Sequence, residues 1–91
     1  MKAITLRLEK LTEKTAAHEY LKELFGFPEY YGSNLDALYD CLTELSEKPT
    51  VVVEGHAEGY AERVLRVLRE ASELGMIELD SSKSNLQKGM I

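Results

Sequence analysis

Thr50-Val51-Val52-Val53-Glu54 is an unbroken β-branched run. Alternation would mark a strand with one wet face. A continuous run reads as a strand covered on both faces, the situation of a parallel sheet. Parallel neighbours cannot be joined by tight turns and need long, usually helical, crossovers. The flanking segments supply them. Residues 3 to 8, Ala-Ile-Thr-Leu-Arg-Leu, put Ile4, Leu6 and Leu8 on one face and Thr5 and Arg7 on the other, predicting a first strand. Residues 13 to 25 carry Ala17, Tyr20, Leu21, Leu24 and Phe25 at helical spacing. Thr12 is the expected N-cap, Gly26 lies just past the end and Pro28 forbids continuation.

Ser33 to Leu45 predicts a second helix with Leu35, Leu38, Leu42 and Leu45 as its buried stripe. Ser33 and Asp36 fit a capping box in which Asp replaces the commoner Glu. Glu47-Lys48-Pro49 turns the chain into the valine run. Tyr60 to Leu74 reads as a third helix with Ala61, Val64, Leu65, Leu68 and Ala71 inward, stopped by Gly75, and Met76 to Leu79 as a short last strand. The order β-α-α-β-α-β predicts an α/β fold, a three-stranded parallel sheet packed against three to four helices in two layers. With 91 residues the chain suits one domain. That domain is placed at residues 1 to 80, and 81 to 91 read as a polar tail.

The net charge is −5, and its distribution says more than its total. Residues 29 to 58 hold seven acids against one base, Lys48, so this third of the chain carries −6. Such a balance argues against nucleic acid as a direct ligand and for a basic partner, whose encounter an acidic field accelerates. The single cysteine, Cys41, excludes an internal disulfide. No apolar run reaches the length of a membrane span, and no leader precedes the first alternating segment. Together these features predict an intracellular, cytoplasmic chain.

Motifs of catalysis are missing: there is no GxGxxG, P-loop or GxSxG, and no CxxC or HExxH for a metal. No cofactor is expected. His18 and His56 read as surface or half-buried residues, and Cys41, beside the leucine stripe, as a small buried hydrophobe. The face of the second helix opposite its leucines is more informative. It holds Asp36, Tyr39, Asp40 and Thr43, with Tyr30 and Tyr31 in the turn before it. A capping role explains Asp36. It does not explain Asp40, because like charges at i, i+4 cost a helix a few tenths of a kcal/mol. Tyrosines beside carboxylates suit a protein interface better than a passive solvated face.

The stretch Phe27-Pro-Glu-Tyr-Tyr-Gly-Ser-Asn-Leu-Asp-Ala-Leu-Tyr-Asp-Cys-Leu42 resembles the signature of the barstar family, small intracellular inhibitors of secreted microbial ribonucleases of the barnase type. The resemblance extends more weakly from Lys2 to about Leu79. It implies the same three-stranded parallel fold. It also implies a mechanism in which the second helix and its preceding loop plug the ribonuclease active site. Asp40 matches the carboxylate in the cationic phosphate pocket, and Asp36 a second acidic contact. Tyr30 matches the tyrosine on the enzyme's catalytic histidine, Gly32 and Asn34 match loop contacts, and Glu70 a peripheral acidic contact. Tyr39 stands where the family often has Trp. Glu44-Leu45 replaces a Gly-Trp pair, Met76 matches a second cysteine, and the stretch between Glu54 and Glu70 is shorter. A cis Lys48–Pro49 bond is a further expectation of the resemblance.

The resulting expectation is a 1:1 protein inhibitor of a secreted barnase-type ribonuclease, without catalysis, nucleic-acid binding or membrane association of its own. Tyr30, Gly32, Asn34, Asp36, Tyr39, Asp40, Thr43 and Glu70 form its partner surface. An immunity or regulatory protein against a different toxin is the alternative, because Tyr39, Glu44 and Leu45 all fall on that surface. A small enzyme using Asp36 and Asp40 as a pair would instead need a cleft around them, and a purely structural module would be indifferent to Asp40.

Overall fold

A computed structural model describes residues 3 to 84. The first strand, β1 (Ala3–Arg7), buries Ile4 and Leu6 and exposes Ala3, Thr5 and Arg7, as its alternation requires. Leu8 leaves the strand and opens a short 3-10 turn, Leu8–Leu11. Residues three apart eclipse in that geometry, so Leu8 and Leu11 both enter the core. Helix α1 (Lys14–Phe25) follows and ends on Gly26, whose left-handed backbone (φ +72°) turns its N–H onto the Lys22 carbonyl. Thr12 is not the cap of α1. Its backbone is already helical (φ −72°, ψ −21°), whereas a cap must be extended. Its carbonyl instead accepts from the Tyr60 N–H at 3.2 Å.

Helix α2 spans Leu35–Thr43, and strand β2 spans Thr50–Gly55. Helix α3 (Tyr60–Glu73) leads to β3 (Glu78–Ser84). Gly59 caps α3 at φ +59°, and a Cβ there would lie 2.8 Å from the Thr12 carbonyl oxygen, so the close approach of the two helix starts needs glycine. The strands are parallel in the order β1-β2-β3, with Ile4, Val51 and Leu79 in one register row. Between Val52 and Glu54 of β2 the partner positions on β3 jump from Asp80 to Lys83, so β3 carries one extra residue there.

The helices lie against one face of the sheet, where Leu6, Val51, Val53, Leu38, Leu42, Leu65 and Leu68 form the core. The opposite face carries Thr5, exposed, and Val52, half-buried. The valine run therefore has one covered face, not the two that its continuity predicted. Two helices cross from β1 to β2 and one from β2 to β3, and all of them are spent on a single layer.

Two further expectations are corrected. The last strand is not the short segment 76 to 79. It starts at Glu78 and runs to Ser84, while Ile77 enters the core just before it. Parallel pairing of an edge strand uses backbone groups, which polar side chains supply as well as apolar ones. The remaining tail residues, 85 to 91, lie outside those described. The expected cis Lys48–Pro49 bond is also not found, since none of the described peptide bonds is cis. The trans isomer is intrinsically favoured even before proline. From it the Pro49 carbonyl reaches the Glu78 N–H at 2.9 Å and seats the start of β3.

Candidate functional site

Helix α2 owes its position to a cap that differs from the one expected. Ser33 has a left-handed backbone (φ +57°) and cannot serve. Asn34 is extended (φ −142°, ψ 174°), and its Oδ1 accepts from the Ala37 N–H at 2.7 Å. Its Nδ2 also donates, at 3.4 Å, to the Gly32 carbonyl, tying the loop to the helix. A Cβ on Gly32 would come 3.2 Å from that of Ala37, so the loop packs closely on the first turn of α2. The helix ends at Thr43, two residues before the Leu45 expected. The amides of Glu44 and Leu45 bond to the Cys41 and Leu42 carbonyls three residues back, which tightens the final turn.

Leu38 and Leu42 are fully buried, which aims Asp36 and Asp40 outward, one turn apart and both exposed. Asp36 sits in the first turn, where the helix dipole favours a carboxylate. Neither acid has an ion-pair partner among the described residues. Tyr39 is half-buried between them, and the Thr43 hydroxyl donates back to the Asp40 carbonyl at 2.6 Å. A shallow depression at the start of α2 brings Lys14 and Arg63 beside Asp36. These two cations were not foreseen, because they come from α1 and α3. Asp40 is exposed on the helix face opposite the buried Leu38 and Leu42.

The two adjacent tyrosines part company. Tyr30 is 81% exposed, the most exposed large hydrophobic side chain among the described residues. Tyr31 is buried, its ring tilted against that of Phe27 at 4.9 Å between centroids, and its N–H closes a turn by donating to the Pro28 carbonyl at 3.0 Å. Its hydroxyl lies 2.6 Å from Nδ1 of His18, and the Tyr60 hydroxyl lies 2.7 Å from Nε2 of the same ring. His18 is thus fully buried, against the expectation of a surface or half-buried residue. Its spacing of three and seven from Leu21 and Phe25 carries the signal for burial. A neutral imidazole has one N–H and one bare nitrogen, so one tyrosine hydroxyl accepts and the other donates. Burial, with help from the Lys14 charge, holds the His18 pKa below its usual value of 6.5. Burial likewise pushes the Tyr31 and Tyr60 hydroxyls up. This bridge joins α1, the site loop and the first residue of α3.

The Cys41 thiol is half-buried and pushed up by burial, then by the charges of Glu44 and Asp40, which disfavours the nucleophilic thiolate. Glu29 is bound by Lys22 at 3.3 Å and so contributes less free charge than its position suggests. Glu70 is exposed on α3. The fold therefore gathers Tyr30, Gly32, Asn34, Asp36, Tyr39, Asp40 and Thr43 into one loop-and-helix surface, with Glu70 on a separate element. No group of three His, Cys, Asp or Glu among the described residues could hold a metal, and no helix among them is long and apolar enough to cross a membrane.

An unpaired acidic helix beside an exposed tyrosine, on a small parallel α/β scaffold, is the setting in which comparison with known proteins becomes informative. A Bacillus subtilis (strain 168) protein described as "Putative ribonuclease inhibitor YrdF" is 44% identical over 63 residues, which cover 62% of this chain and 69% of that protein. The family model described as "Barstar (barnase inhibitor)" matches residues 1 to 80. The chain belongs to the Barstar family.

Proposed function

We propose that the chain is a cytoplasmic, stoichiometric inhibitor of a secreted barnase-type ribonuclease, which it blocks by covering the RNA-binding site with α2 and the Tyr30 loop. Family membership supports the ribonuclease-inhibitor role. The observation that carries the mechanism is the pair Asp36 and Asp40, exposed on α2 without an ion-pair partner among the described residues, beside an exposed Tyr30. An enzyme that binds RNA presents cations where phosphates go. A carboxylate exposed on a helix face can reach such a pocket, whereas a buried one could not. Asp40 enters the phosphate pocket, Asp36 and Thr43 bracket it, and the Tyr30 ring packs on the catalytic histidine. Gly32, Asn34 and Tyr39 complete the contact, and Glu70 acts at its edge.

The test is an RNA-cleavage titration of a barnase-type ribonuclease with the chain and its Asp40→Ala variant. Loss of activity reaching its endpoint at one equivalent, and weakened by orders of magnitude in the variant, is the expected result. The variant should lose several kcal/mol of binding, a size carried over from charge pairs in the barnase–barstar complex itself rather than worked out for this chain. The loss reflects enzyme cations left desolvated and unpaired. Full ribonuclease activity at micromolar excess of the parent chain would sink the proposal and point to a different toxin.

A further inference from the structure

Beside the exposed ring of Tyr30 the surface dips into a groove of about 390 Å³. Its floor is apolar. Phe25, Phe27 and Pro49 are buried there and Leu45 is half-buried. Its rim is acidic. Glu44, just past the end of α2, and Glu47, in the turn to β2, are both exposed and have no ion-pair partner among the described residues. Tyr30 forms one wall and is also the aromatic tip of the α2 surface, so groove and surface are continuous.

We propose that this groove receives one arginine side chain of the inhibited ribonuclease, an inference that rests on the inhibitor reading above. An apolar floor accepts the methylene stem of a long cationic side chain while its head stays at the rim. The tyrosine wall suits the flat face of a guanidinium. Two carboxylates at the rim suit its forked donors, which pair with carboxylates in parallel. Arginine fits better than lysine because its charge is spread and weakly hydrated, so an apolar floor desolvates it at lower cost. A second copy of this chain is a poor occupant, since the groove's rim is negative and so is the chain, at −5. The groove also accounts for Glu44-Leu45. Leucine supplies the floor and glutamate the charge, so this pair selects partners that carry a cation opposite it.

The experiment compares four forms against a barnase-type ribonuclease by surface plasmon resonance: the parent, Asp40→Ala, Glu44→Gln/Glu47→Gln, and the control Glu13→Gln/Glu73→Gln. The control removes the same charge from exposed positions just before α1 and at the end of α3, outside the site. All four glutamates are exposed, and thermal melts check that folding is unchanged. The groove variant should bind about tenfold or more weakly, mainly through faster dissociation, while the control loses about twofold and only in association. Equal losses in the groove variant and the control would overturn the groove, leaving a general charge effect. Retained binding in the groove variant together with loss in Asp40→Ala would overturn the groove alone and leave the inhibitor reading intact. Failure of the parent to bind would overturn both. A dimer of the free chain in sedimentation, lost in the groove variant, would assign the groove to a second copy instead.

Discussion

Tyr30 and Tyr31 are chemically identical neighbours that the fold separates. One ring is left in water, and the other is buried with its hydroxyl on His18. The difference lies with a residue thirteen positions earlier and with Tyr60, forty-two positions from His18, so no local pattern contains it. Because His18 is held neutral in the fold, an unfolded chain binds more protons than the folded one once the pH falls below about 6.5. The contribution is fully present above that pH and is lost as the pH drops toward the folded pKa. Protonation makes both ring nitrogens donors, and the hydroxyl that had donated must turn away. Urea midpoints should therefore fall more steeply between about pH 7 and pH 5 in the parent than in His18→Gln. Parallel lines would show that His18 does not titrate with unfolding. His18 was expected at the surface or half-buried, although its place on the stripe of Leu21 and Phe25 carried a signal for burial. Its two partners carried no such signal.

At the scale of elements, the start of α2 depends on Asn34. The expected cap was Ser33, although Asn34 beside it is as good a capping residue type. The choice falls to Asn34 because the tight packing of Gly32 on Ala37 puts Ser33 in a left-handed backbone. Asn34→Ala should cost about 1 kcal/mol in urea unfolding, and Ser33→Ala well under that. The reverse order would restore Ser33 as the cap. Strand β3 was legible only in its first residues, where Leu79 carries an apolar signal. Asp80 to Ser84 are polar, and they pair because β2 offers a free edge. A chain ended at Asp80 should therefore unfold at lower urea concentration than one ended at Ser84, by about 1 kcal/mol or more, the worth of a few hydrogen bonds. Equal midpoints would mean that the last four residues of the strand add nothing.

For the whole molecule, charge is the property that the fold organises. The acids of residues 29 to 58 do not spread evenly. Glu29 is taken by Lys22, while Asp36, Asp40, Glu44 and Glu47 line up along α2 and the turn after it without ion pairs among the described residues. Association with a cationic ribonuclease should slow by about tenfold or more from low to high salt, while dissociation changes little. A salt-independent association rate would mean that this field does not guide the encounter.

The sequence by itself determined the kinds and order of the elements. Helical and strand periodicities are local, and a parallel sheet follows once strands alternate with helices. It also placed Asp36, Tyr39 and Asp40 on one helix face, because the leucine stripe leaves them nowhere else. Only the tertiary structure decided that the sheet has one covered face, that Tyr31 turns in while Tyr30 stays out, and that Lys14 and Arg63 stand beside Asp36. Each of these depends on which distant residues meet, and the energies of burial and hydrogen bonding that settle it act between elements rather than along the chain.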